Sequence, residues 1–508
     1  IPHCWSIRDG SLTQRPYDLS QVQSLHILRE GYMAATGTVT EEKPKLPKTA
    51  IVVAATAAML GIIYGYDNGV IGGAQIFFSK DLGLSTQQTE LVVTAIVYGE
   101  VIGAIIAGMV TNKIGRKKSM LLLTIGYCVF GLLSALAVDM WTLFGARLGL
   151  GLAVGISLIA VPVFVAESVP ARVRGATLVM YQVMGVCGII LGLLFTLLLA
   201  DSTWSGSWRI MLGLASVPAL ILLPIIAKLP ETARWYVMKG RGEEALASLN
   251  LTDPDADHEA EIAEMEEIQR AESGGALAEM LRKPYLRATV FVVGLGFFIQ
   301  ITGINATVTY GPQIFEAMGV QSDSQKILMS LLVQVFALIS VLVSMRYVDR
   351  WGRRPILLTG IAVMIVAQLM MVVTFASAGG GDLVGWQIAL GFAGLALINV
   401  GFVFGFGALV WVYSSESFPA RLRSYGSSAM LTSDLIANVI IAQFFLTVLT
   451  AIGGAGSFGL FAVLAFIAWI FVFKMAPETK GRDLDDIHQF WENGGKWPTE
   501  DAEKVASK

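Results

Sequence analysis

Four ionisable residues lie inside stretches of the chain that are otherwise apolar: Asp67, Glu100, Arg147 and Asp434. A charged side chain placed in hydrocarbon costs roughly 2.5 kcal/mol or more, so a charge in such a stretch predicts a functional site. A buried carboxylate beside a guanidinium can take up a proton and release its partner. That exchange changes which conformation of the surrounding helices is more stable.

Each of these residues has a second interpretation that the sequence leaves open. Asp67 with Arg147 is a proton-coupling pair, a static ion pair needed for folding, or an aspartate at a helix end among lipid headgroups. Glu100 is a second proton relay or a carboxylate that faces water near Asp67. Asp434 can accept two hydroxyl hydrogen bonds or take up a proton, and its alternative is a polar contact between helices.

The composition indicates that membrane-spanning helices carry these residues. The chain has 508 residues, is 55% hydrophobic and only 15% charged, and has a mean hydropathy of +0.65. A soluble domain carries about 25% charged residues, so this chain lacks the polar surface that would cover a globule. The net charge of −3 does not indicate nucleic-acid binding. We expect no metal or cofactor, since Cys4, Cys128 and Cys187 fit no metal-ligand spacing.

Apolar segments long enough to cross a membrane occur in two sets of six. A helix needs about 20 apolar residues to cross the hydrocarbon core. We therefore predict an all-α membrane protein of two six-helix halves, in which the tenth segment is long enough to contain a break. The predicted spans lie near 50–72, 90–111, 119–138, 141–165, 176–200, 209–228, 288–314, 327–348, 355–377, 386–414, 425–450 and 455–475.

The same segmentation divides the chain into five parts. The charged segment between the two halves is expected to form short amphipathic helices in water. Residues 1–32 are expected to be an upstream artefact or a disordered tail. The five parts are a polar tail (1–49), a first six-helix half (50–228), a cytoplasmic linker (229–286), a second six-helix half (287–475) and a final tail (476–508).

Basic residues are concentrated in alternate loops between the predicted spans. In membrane proteins, short loops rich in Lys and Arg stay on the cytoplasmic side. We therefore expect these loops, the linker and both termini of a multi-pass protein to face the cytoplasm. Compact loops favour the plasma membrane of a prokaryote. The basic residues are Lys113, Arg116, Lys117, Lys118, Arg172, Arg174, Arg350, Arg353, Arg354, Arg421 and Arg423.

Three motifs occur once in each half, in the same order and at nearly the same separation. Such an ordered recurrence indicates two parallel repeats, which place a binding site between the halves near the bilayer midplane. The repeated pairs are Lys113–Lys118 with Arg350–Pro355, Glu167–Arg174 with Glu416–Arg423, and Pro230–Thr232 with Pro477–Thr479.

Through these motifs the chain resembles the sugar porter family of the major facilitator superfamily, over about residues 50–485. The resemblance implies the major facilitator fold and alternating access by rocking of the two halves. It also implies transport of a sugar or polyol together with protons, and no enzymatic activity. Proton-coupled members of the family have an aspartate at the place of Asp67 as the protonation site, tuned by an arginine at the place of Arg147.

The resemblance assigns the repeated motifs to a cytoplasmic charge network that latches the outward-open state. Bidentate pairs between carboxylates and arginines at helix ends are strong but can break. The alternative is loop topology plus helix capping, which explains the basic residues but not the repeated Glu and Pro positions. The residues expected in the latch are Gly115, Arg116, Glu167, Arg174, Glu231, Arg234, Arg353, Glu416 and Arg423.

The resemblance further implies a binding site for a hydroxyl-rich solute. Amides donate and accept hydrogen bonds at once, and aromatic faces pack against C–H surfaces. A local helix break at Gly303 would bring two of the amides together. Singly, each residue could instead make a helix–helix hydrogen bond, and Trp411 could belong to an interfacial belt. The expected residues are Gln182, Gln300, Asn305, Trp411, Asp434 and Asn438, with Tyr310 in the outer gate.

Departures from the family pattern leave the solute open. Ile299 replaces the first of two glutamines that sugar porters usually have in the seventh span, and Ala337 replaces an asparagine in the eighth. Asp434 followed by Leu435 replaces an amide followed by tryptophan. A pentose, a polyol such as inositol, or another hydroxylated solute therefore fits the pattern as well as glucose does.

The sequence argues against three other functions. An uncoupled facilitator would share the fold, and the Asp67–Arg147 pair argues against it. A non-transporting nutrient sensor typically adds a long signalling tail, whereas a short segment follows Met475. The sequence contains no nucleophile–base set, metal cluster or phosphate loop of a membrane enzyme.

Overall fold

The computed structural model describes residues 6–8, 11–13, 46–254, 257–271, 279–377, 383–482 and 484–497. Its contacts separate residues 1–46 from residues 47–508. In the first unit, strands β1 (Ser6–Arg8) and β2 (Ser11–Thr13) pair antiparallel. The sequence predicts a polar tail here, and most of that tail lies outside the described residues.

All the secondary structure described in the second unit is helical. In the first half, α6 and α7 together form one span, Ser207–Lys228. The helices of this half are α1 (Lys48–Asp81), α2 (Thr86–Ile114), α3 (Arg116–Ala135), α4 (Met140–Ser168), α5 (Ala171–Ala200), α6 (Ser207–Gly213) and α7 (Ser216–Lys228).

Short helices follow in the segment between the halves, and the second half begins at Leu286. The short helices are α8 (Ala233–Met238), α9 (Gly242–Thr252) and α10 (His258–Ala271). The second half contains α11 (Leu286–Ile301), α12 (Ile304–Thr309), α13 (Gly311–Ala317), α14 (Asp323–Trp351), α15 (Arg353–Ala376), α16 (Gly385–Phe402), α17 (Ala408–Glu416), α18 (Ala420–Met475) and, after the spans, α19 (Leu484–Glu492).

The number of membrane crossings depends on the last long helix. Among the described residues, 11 helices are long and apolar enough to span a membrane, and the last of them covers 54 residues, Leu422–Met475. At about 1.5 Å per residue, this length is more than twice the hydrocarbon thickness. Gly453 interrupts the helix with a φ of 70° and a ψ of 173°. The helix therefore forms two spans, which makes the twelve that the sequence predicts.

The seventh and tenth predicted spans are also interrupted. Gly303 has a φ of 90° and separates α11 from α12, as the sequence predicts. A Cβ atom at this position would lie 2.7 Å from the ring of Phe461. Glycine is therefore required both by the positive φ and by the lack of space for a side chain. A π-helical turn, Val403–Gly407, joins α16 to α17 inside the tenth predicted span.

Glycines allow the helices of the first half to approach closely. A Cβ atom at Gly65 of α1 would lie 1.8 Å from the carbonyl oxygen of Gly185 on α5. One at Gly99 of α2 would lie 2.2 Å from the carbonyl oxygen of Leu148 on α4. Small residues commonly permit such backbone contact between membrane helices. These two contacts place α1 and α2 beside the helices that complete the candidate site.

The two most extensive contacts between the halves are those of α2 with α18 and of α5 with α14, and α1 also contacts α12. The first turns of the helices that carry Arg116, Arg174, Arg353 and Arg423 all lie at one end of the spans. We call this the basic end, and the other the opposite end.

Candidate functional site

Asp67 and Arg147 form a buried ion pair between α1 and α4. The Nη1 atom of Arg147 donates to Oδ1 of Asp67 at 2.6 Å, and the arginine side chain is 0% exposed. Asp67 Oδ2 and the Nε and Nη2 atoms of Arg147 are buried without a hydrogen-bond partner among the described residues. The structure thus brings together the two residues that the sequence pairs. Because the two residues share a single hydrogen bond, two donors of Arg147 and one acceptor of Asp67 remain available for other hydrogen bonds.

Glu100 lies on α2 next to this pair and is only 5% exposed. Its backbone packs against α4, since a Cβ atom at Gly155 would lie 2.2 Å from the carbonyl oxygen of Glu100. Its carboxyl group is within electrostatic range of Asp67, Arg147 and Asp434. Glu100 of α2 is therefore within electrostatic range of two carboxyl groups and one guanidinium, which belong to α1, α18 and α4.

Three tyrosines that were not predicted from the sequence lie near Glu100. Tyr64, Tyr127 and Tyr181 each lie within electrostatic range of Glu100. The hydroxyls of Tyr127 and Ser157 are hydrogen-bonded at 2.8 Å. The hydroxyl of Tyr181 is buried without a partner among the described residues. Tyrosines at helical spacing are typical of an ordinary helix core, so the sequence contained no signal for this cluster.

Gln300 and Asp434 are neighbours in the second half. Gln300 is 9% exposed and lies at the end of α11, just before the break. Asp434 lies on α18, where Oγ of the adjacent Ser433 donates to the carbonyl of Val293 at 2.9 Å. Oε1 of Gln300 and Oδ1 of Asp434 are both buried acceptors without a donor among the described residues. Asn438, one turn further along α18, is 8% exposed.

Buried amides support the broken seventh span. Nε2 of Gln368 donates to the carbonyl of Thr302 at 2.8 Å, which satisfies an acceptor that the break exposes. Nδ2 of Asn399 donates to Oγ1 of Thr307 at 3.1 Å. Asn305 lies between these contacts and is half-buried. Gln368 and Asn399 were not predicted as site residues, because the sequence of an apolar run does not show which helix an amide within it faces.

Gln182 and Trp411 stand apart from the buried cluster. Gln182 is exposed on α5, and the Trp411 side chain on α17 is 40% exposed. Their exposure is compatible with an open space between the halves and, for Trp411, with an interfacial belt.

Hydrogen bonds across the halves define an opposite-end lock, made of the pairs Glu90–Thr447, Tyr98–Gln443 and Gln75–Thr309. Glu90 accepts from the backbone N–H of Thr447 at 2.9 Å and from its Oγ1 at 2.5 Å. The Tyr98 hydroxyl donates to Oε1 of Gln443 at 3.0 Å. Nε2 of Gln75 donates to the carbonyl of Thr309 at 2.6 Å. All three pairs join a helix of one half to a helix of the other.

Tyr310, expected in an outer gate, lies beside this lock. It is 0% exposed, and its hydroxyl donates to the carbonyl of Ala442 at 2.5 Å. Its ring stacks on that of Phe445 with the centroids 5.5 Å apart. Nearer the surface, Lys80 of the first half pairs with Asp323 of the second at 3.0 Å.

At the basic end, Arg116 and Glu167 form a two-bond ion pair within the first half. Nε and Nη2 of Arg116 donate to the two carboxylate oxygens of Glu167 at 3.0 and 3.2 Å. Oγ1 of Thr232 also donates to Glu167, at 2.7 Å. This is the bidentate geometry in which an arginine–carboxylate pair is strongest.

The Pro-Glu-Thr motifs make equivalent contacts in the two halves. Glu231 accepts from the backbone N–H groups of Arg116 and Lys117 at 2.9 and 3.0 Å, at the start of α3. Glu478 accepts from those of Arg353 and Arg354 at 3.0 and 3.2 Å, at the start of α15. A carboxylate at a helix N-terminus satisfies free N–H groups and complements the helix dipole. The expected latch omitted Glu478.

The remaining latch residues lie in helices near the same end of the molecule. Arg174 is within electrostatic range of Glu261 on α10. Oε2 of Glu416 and Nε of Arg423 are buried without hydrogen-bond partners among the described residues. Arg234 and Arg353 both have polar interactions. Across the described part of the chain, no group of three His, Cys, Asp or Glu side chains is placed to hold a metal ion.

Comparison with known proteins gives one consistent picture. Residues 53–491 match the family model described as "Sugar (and other) transporter". The chain is 30% identical to a probable polyol transporter 6 from Arabidopsis thaliana, over 90% of this chain and 97% of the relative. It is 33% identical to the galactose-proton symporter of Escherichia coli K12, over 87% and 94%. The inward-open, partially occluded xylose transporter of E. coli superposes with a TM-score of 0.74 at 21% identity, over 85% and 99%.

Proposed function

Because the chain belongs to the sugar (and other) transporter family, we propose that it is a symporter that moves a sugar or polyol together with protons by alternating access. Transport, rather than catalysis, is the activity of that family. The polyol transporter and the galactose-proton symporter, which align over nearly their whole length, support this solute class and this coupling.

The buried Asp67–Arg147 pair is the observation that carries the proposal. Protonation of Asp67 removes one charge of the pair and leaves Arg147 buried with a charge to satisfy. The conformation that best solvates or re-pairs the arginine is then favoured. In this mechanism, the proton acts by changing the relative stability of the two arrangements of the halves.

We place the solute between the halves, against amides of the second half. Gln300, Asn305 and Asn438 offer paired donors and acceptors, and Asp434 offers acceptors for hydroxyl groups. Exposed Gln182 would bind from the first half, and Trp411 would pack against C–H surfaces of the solute. Tyr310 would close the site toward the opposite end.

We also assign each end of the molecule to one side of the membrane. The basic end faces the cytoplasm by the distribution of Arg and Lys, in the plasma membrane, with both termini and the linker 229–286 on that side. The halves 50–228 and 287–475 are the rocking units. The opposite-end lock then holds the protein inward-facing, and the latch residues stabilise the outward-open state when the basic end closes.

The test is transport in liposomes that contain a pH-sensitive dye, with a panel of hexoses, pentoses and polyols. Wild type is expected to move protons when its solute is added, and Asp67→Asn is expected to abolish this proton movement. Asp139→Asn is the matched control, because Asp139 is an exposed helix cap on α4 whose role an asparagine can take over.

Solute uptake without proton movement, unchanged by Asp67→Asn, would identify an uncoupled facilitator instead. Absence of uptake for every solute on the panel, with Asp139→Asn and wild type equally well folded, would contradict the sugar or polyol assignment.

A further inference from the structure

The proposed mechanism uses Asp67 and leaves two other carboxyl groups, the buried Glu100 and the half-buried Asp434, without a role as acids. Among the described groups within electrostatic range of Glu100, Arg147 is the one cation, and it already binds Asp67. The site therefore holds three carboxyl groups for one guanidinium. Two ionised carboxylates without a counter-charge would be costly in this position.

The neighbours of the two carboxyl groups come from several helices and, within the part of the chain that the structure describes, include no further positive charge. Around Glu100 these are Asp67 and Tyr64 on α1, Tyr127 on α3, Arg147 on α4, Tyr181 on α5 and Asp434 on α18. Around Asp434 they are Tyr64, Glu100 and, on α11, Gln300.

The carboxyl groups belong to different halves and lie along the contact of α2 with α18. On the opposite-end side, the Tyr98–Gln443 hydrogen bond joins these two helices. On the basic-end side, Ala104 of α2 packs with Leu431 and Leu435 of α18. Glu100 thus lies between these two contacts, one turn before Ala104, and Asp434 lies between the two leucines that pack against Ala104.

The Gln300 amide donates to the Asp434 carboxyl group, but one acceptor on each residue is left without a donor in the described part of the chain. Oδ1 of Asp434 and Oε1 of Gln300, which is nine-tenths buried, are both acceptors without a partner among the described residues. An ionised aspartate offers acceptors only, whereas a protonated carboxyl group also donates. A proton on this pair therefore supplies a donor that the site lacks and removes a charge that it cannot balance.

We propose that Glu100 and Asp434 form a second proton-binding site, separate from Asp67 and shared between the two halves. Like charges held close together cannot both ionise without cost, so the pair retains a proton while α2 and α18 are in contact. Rocking of the halves changes the distance between the two carboxyl groups and thus the cost of ionising both. The site itself stands on the structure, while its part in coupling rests on the proposed symport.

Infrared spectroscopy of the purified full chain tests the site without any solute. Protonated carboxyl groups have a C=O stretching band of their own, which ionisation and conversion to an amide both remove. We expect wild type to show this band at neutral pH, and both Glu100→Gln and Asp434→Asn to lose part of it. Because the groups share a proton, each substitution should also move the pH at which the remaining band disappears.

Glu316→Gln is the matched control, because Glu316 is a carboxylate whose side chain is 59% exposed at the opposite end. It should leave the band unchanged. Both test substitutions keep the shape of the side chain, and an unchanged melting temperature confirms that the variants are folded. A band identical to that of wild type in folded Glu100→Gln and Asp434→Asn overturns the proposal.

The liposome assay separates this inference from the proposed function. Loss of the infrared band in the variants, together with no proton movement in wild type, would retain the second site and reject symport. Proton-coupled uptake in wild type with no change of the band in the variants would retain symport and reject the second site.

Discussion

Glu90 on α2 accepts two hydrogen bonds from Thr447 on α18, at 2.9 Å from the backbone N–H and at 2.5 Å from Oγ1. The two residues belong to different halves, and Glu90 is 1% exposed. A hydrogen bond to a charged group contributes about 1.5–3 kcal/mol. This pair is therefore a strong single contribution to closure of the opposite end.

Glu90→Ala is expected to open the opposite end, with a change of about ten- to a hundredfold in the equilibrium between open and closed. The measurement is the distance between spin labels at the exposed positions Gln87 and Gln321, after replacement of the native cysteines by alanine. Lys80→Ala is the control, since its ion pair is 67% exposed on the lysine side and contributes at most about 1 kcal/mol. Equal label distances in Glu90→Ala and wild type would refute a locking role for Glu90.

Arg147→Gln is expected to destabilise the protein by ~3–5 kcal/mol, because Asp67 would be left as a buried carboxylate without its cation. Asp67→Asn combined with Arg147→Gln should recover most of that loss, since neither charge then remains. Thermal unfolding of the two single variants and the double variant in detergent measures the coupling. Additive losses in the double variant would show that the two side chains do not interact in the folded protein.

Gly115→Ala is expected to lower stability by ~1–3 kcal/mol. Gly115 has a φ of 106°, and a Cβ atom there would lie 2.2 Å from Oε2 of Glu231, the carboxylate that caps α3. Gly108→Ala on α2 is the matched control, because a Cβ atom there meets no other atom within 4 Å. This control should stabilise its helix by up to about 1 kcal/mol. Equal melting temperatures for the two variants would contradict the capping geometry.

Glu478→Ala and Glu231→Ala are expected to have similar effects, each a loss of ~0.5–2 kcal/mol, because each removes the cap of an equivalent helix. Urea or thermal unfolding of the two variants gives the comparison. Glu492→Ala serves as a control, since Glu492 lies exposed at the end of α19. A large loss for Glu231→Ala with none for Glu478→Ala would show that the two halves do not use the motif in the same way.

The sequence by itself determined the class of the protein and its repeat. Hydropathy identifies spans locally, because each membrane helix satisfies its own backbone and must be apolar along its length. The paired motifs indicate two halves, and the break at Gly303 follows from a glycine inside a helical run. Asp67 and Arg147 could be paired in advance because two opposite charges inside hydrocarbon have few other ways to be satisfied.

Only the tertiary structure decided which helix faces meet. Glu90 lies at the start of an apolar run, a position that by itself does not indicate a partner. In the structure it accepts a hydrogen bond from Thr447 of the other half. Glu478 reads as part of a tail motif, yet it caps α15. The proximity of Glu100 to Asp434 likewise depends on how α2 packs against α18. Local periodicity shows which residues share a helix face, whereas the partner of that face is set by packing between segments far apart in the chain.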